Sequence, residues 1–208
     1  MKWEEIEYFL ESLSHHNSLC LRGKGSLKVL DIGCWSWRLL EQFSSQYNID
    51  DINYVWIDLS EKMLECAREN FPEKEFLNLN MIELDRIENK DFNCIFFIAS
   101  FHHLQSIKER EEVLIKAYNL LETWGRIFMT NWALNSEVNN EKYNNAAISD
   151  SKNKYWSIDY NIVFWEHDRY YHCFDLNELE YLARKSWFKI IENRLFDGEK
   201  NFITILEK

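Results

Sequence analysis

Glycine and proline are scarce in this chain, five and one among 208 residues. Globular proteins carry about 7% glycine, so about three times as many are expected. Their scarcity excludes collagen-like repeats and flexible Gly/Pro-rich linkers. Long apolar runs are also lacking, and the N-terminus "MKWEEIEYFL" carries glutamates where a signal peptide needs an apolar core. The expectation is a cytoplasmic protein without membrane association. The five cysteines are scattered, odd in number and form no C-x-x-C pair. Reduced thiols are expected, with neither a disulfide framework nor a metal site. Positive charge is in deficit: 24 Lys and Arg against 35 Asp and Glu leave a net charge of −11. Such a surface repels nucleic-acid backbones unless a local basic patch or a basic partner reverses it.

What is abundant is tryptophan, with nine residues, within a hydrophobic fraction of 46%. The length favours one domain with a large core. From about Lys28 to Asn131 strand and helix patterns alternate. "LKVLDIG", "INYVWIDLS", "EFLNLN", "FNCIFFIAS" and "GRIFMTN" read as strands. "RLLEQFSSQY", "EKMLECAREN" and a segment from Lys108 to Leu121 read as helices, with Ser60 as a cap and "KEREE" as a solvated helix start. Such alternation predicts a mostly parallel α/β sheet with helices on both faces. Residues 1–27 read as an N-terminal helical segment. Residues 133–168 are polar, asparagine-rich and without a sustained period, so they read as an insertion with a mobile part, placed to act as a substrate lid. Order resumes near "RYYHCF". After the helix "LNELEYLARKS", the strands "FKIIENRLF" and "NFITILEK" flank a turn containing Gly198 and predict a C-terminal antiparallel hairpin.

The order "VLDIGC", "IDLS", "FFIASFHHL", "GRIFMTN" and a terminal hairpin resembles the class I S-adenosylmethionine-dependent methyltransferases, from about Lys28 to the end. The resemblance implies a Rossmann-like fold, S-adenosylmethionine as cofactor, and a first loop of the form D-x-G-x-G-x-G. Here that loop reads Asp31, Ile32, Gly33, Cys34, Trp35, Ser36, Trp37. The family pattern assigns the cofactor site to Asp31, Gly33, Cys34, Trp35, Trp37, Asp58, Leu59, Asn80, Met81 and Ala99. Asp58 at the end of the second strand would take the ribose hydroxyls, Asn80 and Met81 would meet the adenine, and Ala99 would lie near the sulfonium. These positions are the carboxyl ends of strands, where open α/β sheets bind ligands.

The loop departs from the family where glycine is most needed, since backbone amides must approach the cofactor. Trp35 and Trp37 stand at glycine positions, as do Trp56, Trp124 and Trp187, whereas Trp132 looks native. Drift does not concentrate on one substitution. The pattern fits a UGA codon read as glycine by the host and written here as tryptophan; the contrary reading is a degenerate, non-catalytic methyltransferase whose pocket Trp35 and Trp37 plug.

"FIASFHHL" followed by "RYYHCF" resembles the tRNA wobble-uridine carboxymethyl methyltransferases more narrowly. That resemblance implies methylation of a carboxylate on a modified uridine. A carboxylate is already nucleophilic at neutral pH, so positioning and exclusion of water matter more than a strong base. Asn131, Arg169, Tyr170, Tyr171 and His172 are the expected substrate contacts, with His103 and His172 as catalytic candidates. A structural role for the histidine pair and for "RYYH" stays open. A small-molecule O- or C-methyltransferase, favoured by the net charge, is the competing enzymatic reading. A small basic partner protein would reconcile the acidity with tRNA.

Overall fold

The computed structural model describes residues 3–20, 26–33, 38–164 and 167–208. A helix α1 (Glu4–Cys20) precedes strand β1 (Leu27–Ile32). Alternation follows through α2 (Arg38–Ser44), β2 (Ile52–Asp58), α3 (Glu61–Asn70), β3 (Glu75–Asn78), β4 (Phe92–Ile98), α4 (Ile107–Leu120) and β5 (Leu121–Trp132). Then come α5 (Glu137–Tyr143), β6 (Ile158–Phe164), β7 (His167–Cys173), α6 (Leu176–Lys185), β8 (Lys189–Leu195) and β9 (Asn201–Glu207). Seven strands form one sheet in the order β3-β2-β1-β4-β5-β9-β8, while β6 and β7 pair separately. The first five pair in parallel, and β9 inserts antiparallel between β5 and β8. This is a mostly parallel α/β sheet closed by an antiparallel hairpin, as the strand and helix periods predict, and its strand order fits the Rossmann-like methyltransferase fold that the resemblance implies.

The central strands are apolar on both faces because both are covered. On one side Val29, Phe96 and Ile203 meet Phe9 and Leu10 of α1 and Leu40 and Phe43 of α2. On the other side Leu30, Ile95, Phe97 and Ile127 meet Val113 and Ala117 of α4 and Leu179 and Leu182 of α6. Each buried leucine or phenylalanine contributes roughly 1.5–3 kcal/mol relative to an exposed one. This packing, more than helix propensity, fixes α4 and α6 on the sheet.

Several local expectations need correction. Ser60 precedes α3 but makes no side-chain cap; instead Asp58 Oδ1 accepts its backbone N–H at 2.8 Å. The start of α4 is not wholly solvated, since Arg110 is buried. The cap there comes from Ser106 and Glu109 in a reciprocal pair. The 133–168 segment is built rather than irregular: it holds α5 and β6. Ile158, Tyr160 and Ile162 alternate with polar residues along β6, a period-two signal masked by the asparagine-rich stretch before it. Tyr160 and Ile162 join the core.

Candidate methyltransferase site

A cavity of about 1090 Å³ opens at the carboxyl ends of β1, β2 and β4, where the topology places a ligand site. Its floor is made by strand ends. Gly33 follows β1 with φ +72°, and a β-carbon there would come within 2.5 Å of Ser100 Cβ. Glycine at this point satisfies both the left-handed backbone and the close approach of two loops. Ser100 closes the gap by donating to the Ile32 carbonyl at 2.6 Å.

Asp31 is almost wholly buried beside this glycine. Its Oδ2 accepts from Tyr54 Oη at 3.1 Å, while Oδ1 has no hydrogen-bond partner. Burial pushes its pKa up to about 7; the Tyr54 hydrogen bond opposes the rise, the charge of Asp58 adds to it, and the nearby Trp56 indole lowers it least. That indole completes no hydrogen bond. A carboxylate with one oxygen unsatisfied is a costly feature unless a cation meets it.

The next strand ends supply the rest of one half. Asp58 and the exposed Leu59 line the cavity, as do Leu79, Asn80, Met81 and Ile82. Asn80 caps the short helix that begins at Met81, its side chain accepting from Ile82 N–H at 3.2 Å. Ala99 lies on the cavity wall at φ +52°. This donor set fits S-adenosylmethionine. Asp31 would take the ammonium, Asp58 the ribose hydroxyls, and the apolar and thioether groups from Leu79 to Ile82 the adenine.

The second half of the cavity is aromatic and cationic. His102, His103, Trp132, Lys142, Tyr143, Arg169, Tyr170 and Tyr171 line it. Trp132 and Tyr171 stack at 5.0 Å with 13° between planes, and both histidine rings touch Tyr171. His103 Nδ1 lies 2.9 Å from the Tyr170 carbonyl oxygen. Burial lowers the pKa of His103 and lowers that of His102 further, so both rings are neutral at pH 7.

The expected site residues therefore divide. Asp31, Gly33, Asp58, Leu59, Asn80, Met81, Ala99, His103, Arg169, Tyr170 and Tyr171 converge on one cavity. His172 does not: it is buried and occupied by two carboxylates. Asn131 is also buried away from the cavity lining, its amide unpartnered. Strand alternation explains both, since each neighbours a residue that faces the cavity. Cys34, Trp35 and Trp37 lie outside the described residues. The sequence reading missed Trp3 and Ile6 of the N-terminal segment, and Trp132, Lys142 and Tyr143. Tryptophan directly after the fifth strand was the one signal available for that group.

Backbone conformation adds a finding about the tryptophans. Trp124, Trp156 and Trp187 have φ of +70°, +75° and +65°, a region that bulky side chains rarely enter. Trp187 occupies the C′ position of a Schellman turn after α6, with Phe188 N–H bonded to Ala183 O at 3.0 Å and Trp187 N–H to Arg184 O at 3.2 Å. Trp56 differs: it is wholly buried, with its ring 4.4 Å from that of Phe76.

Residues 29–125 match the family described as "Methyltransferase domain". Solved structures share the fold. A S-adenosylmethionine-dependent methyltransferase from Clostridium acetobutylicum aligns at TM-score 0.73 and 12% identity, over 100% of this chain and 92% of that one. One from Methanosarcina mazei aligns at 0.68 and 16%, over 92% and 96%. The 1,6-didemethyltoxoflavin-N1-methyltransferase of Burkholderia thailandensis, solved with 1,6-didemethyltoxoflavin and S-adenosylhomocysteine, aligns at 0.64 and 17%, over 95% and 76%. No curated protein matches the chain in sequence. Beyond Gly125 the rest of β5, with β9 and β8, completes the sheet.

Proposed function

We propose that the protein transfers a methyl group from S-adenosylmethionine to a carboxylate on a modified tRNA wobble uridine. The observation that carries this reading is convergence. The histidine pair after β4 and the Arg169–Tyr171 segment of β7, 66 positions apart (169 − 103), line one cavity beside Asp31 and Asp58. The cofactor supplies an electrophilic methyl group. The chain's own residues bind and orient the acceptor: Arg169 suits a bidentate contact with a carboxylate, and the tyrosines suit stacking against a base. A cytoplasmic location and a small basic partner protein accompany this reading, the latter offsetting the net charge of −11. The test supplies methyl-labelled cofactor with tRNA bearing 5-carboxymethyluridine. Alkali-labile label on the tRNA is expected; label that resists alkali, or none, sinks the carboxylate acceptor. Label on the free nucleoside and not on tRNA favours the small-molecule alternative, which the acidic charge and the toxoflavin-precursor enzyme's likeness in fold support.

A second inference concerns the tryptophans, and the positive φ values of Trp124, Trp156 and Trp187 favour it. Among the described tryptophans these sit where the backbone suits glycine, and two were already marked by sequence. We infer that the active protein carries glycine at 35, 37, 56, 124 and 187, through UGA codons read as glycine, with 156 as a sixth site. Codons of the gene decide it: UGA at these positions beside UGG at 132 supports the inference, and UGG throughout overturns it. In that second case the non-catalytic reading gains. Binding of S-adenosylhomocysteine by neither the chain nor its glycine form would remove the methyltransferase function itself.

A further inference from the structure

His172 is the residue whose observed place departs most from a role in contacting substrate. It lies on β7, directly opposite Asp159 of β6. Its Nδ1 is 2.6 Å from Asp159 Oδ1, and its Nε2 is 3.0 Å from Glu178 Oε2 on α6. A neutral imidazole has one N–H and one lone pair, so it can hydrogen-bond only one of two carboxylates. Both contacts are hydrogen bonds only when the ring carries two protons.

The surroundings balance that charge. Glu178 Oε1 accepts from Arg110 Nη1 of α4 at 2.6 Å, and Glu178 Oε2 also accepts from Asn153 Nδ2 at 2.6 Å. Asp159 Oδ1 further accepts from Tyr170 Oη at 2.7 Å. Arg110 also donates to the carbonyls of Leu104 and Gln105, and Tyr170 Oη reaches Gln105 O at 3.2 Å. Arg110 and His172 thus face two carboxylates, with Arg110, His172 and Glu178 almost wholly buried and Asp159 partly exposed. The other titratable groups nearby are Tyr170 and the neutral His102. Burial would raise the pKa of Glu178, yet hydrogen bonding and charge from His172 outweigh it and bring it down to about 2. Asp159 is likewise held low, burial being overcome by His172 and Tyr170.

The geometry matters because, among the described residues, β6 and β7 form a separate two-stranded sheet joined elsewhere by a single bridge from Tyr160 to Ala147. A two-stranded hairpin is marginal by itself, so its seat depends on side-chain anchors. We propose that His172, as an imidazolium between Asp159 and Glu178, is a positioning residue that clamps the β6–β7 hairpin to α4 and α6 and thereby holds Arg169, Tyr170 and Tyr171 against the acceptor half of the cavity. The clause about the acceptor rests on the methyl-transfer reading; the clamp does not. Without this residue one carboxylate loses its partner, and the hairpin is expected to loosen while the sheet stays intact.

The first readout is nitrogen NMR of the full chain with labelled histidine. His172 is expected to show both ring nitrogens protonated at pH 7, whereas a neutral tautomer overturns the proposal. The second is amide hydrogen exchange in His172→Gln and Asp159→Asn. Exchange over residues 158–173 is expected to rise at least tenfold with β1, β4 and β5 unchanged. Unchanged hairpin exchange, or an equal rise throughout the chain, refutes a local clamp. Neither readout needs methyl transfer, so their failure leaves the proposed function standing, and absence of methylation leaves the clamp standing.

Discussion

Adjacent histidines 102 and 103 are held in opposite tautomers by two backbone groups. The Trp132 N–H donates to His102 Nδ1 at 3.2 Å, so in the neutral ring the proton sits on Nε2. The Tyr170 carbonyl accepts from His103 Nδ1 at 2.9 Å, which leaves Nε2 of His103 with a lone pair. One ring is a buried donor and the other an available acceptor on the cavity wall. A general base contributes about 10²–10⁴-fold where the acceptor must lose a proton. A carboxylate acceptor loses none. His103→Gln is therefore expected to lower kcat less than about tenfold on a carboxylate, and by at least about 10²-fold on an N–H or O–H acceptor. Comparing the variant's kcat on the two substrate types checks this.

Glycine at the left-handed positions should stabilise the chain. A β-carbon in that region costs roughly 1–2 kcal/mol. Against this stand small losses: the edge contact of Trp187 with Tyr118 and the Lys152 ammonium 3.9 Å over Trp156, each worth about 0.5–1 kcal/mol. Trp124→Gly, Trp156→Gly and Trp187→Gly combined are expected to raise Tm by roughly 2–8 °C in a chain of this size. Trp132→Gly should lower it, because that ring is stacked on Tyr171. Thermal unfolding of the two variants gives opposite signs or contradicts the argument.

The buried pair Arg110–Glu178 yields an asymmetric prediction. Both side chains are nearly inaccessible, at 3% and 0%. Arg110→Met leaves Glu178 with His172 as its sole cation, and breaking such a pair costs about 3–5 kcal/mol. Replacing Glu178 by leucine as well removes the stranded charge and should recover much of that loss. Urea unfolding of the single and double variants measures the recovery; equal destabilisation in both would mean that the charge is not what matters.

The sheet was legible because period-two and period-3.6 patterns register burial directly: Leu30, Ile95 and Val113 had to face a core somewhere. Asp31, Gly33 and Asp58 were legible as cavity-lining positions through the family resemblance, whose motif falls at the strand ends where open α/β sheets bind ligands. The segment 133–168 was not. Its β6 alternation is short, and its anchors are long-range polar contacts, such as Asn153 with Glu178, that no local pattern encodes. The same cause hid the place of His172. From sequence it adjoins Tyr171, and only the strand register shows that it faces Asp159. Arg110 likewise looked solvated within "KEREE" because its partner lies 68 positions away (178 − 110).

Asp31 should make cofactor affinity depend on pH near neutrality. Its folded pKa, about 7, lies above the ordinary carboxylate value of 3.8, so the folded state holds the proton more tightly than the unfolded one. Its contribution to stability is therefore full below pH 3.8, declines as pH rises toward 7, and is flat above. Binding runs the other way. An ammonium meeting the unsatisfied Oδ1 favours the ionised form, so affinity should climb with pH up to about 7, by at most about tenfold per unit, and level off beyond. Asp31→Asn should abolish this slope, bind more weakly at pH 8, and unfold at higher temperature there, since it removes a buried charge. Calorimetric titration of S-adenosylhomocysteine between pH 5.5 and 8.5, on whichever of the chain and its glycine form binds it, tests the slope. A profile without an inflection in the parent protein would mean that Asp31 does not meet the cofactor's ammonium.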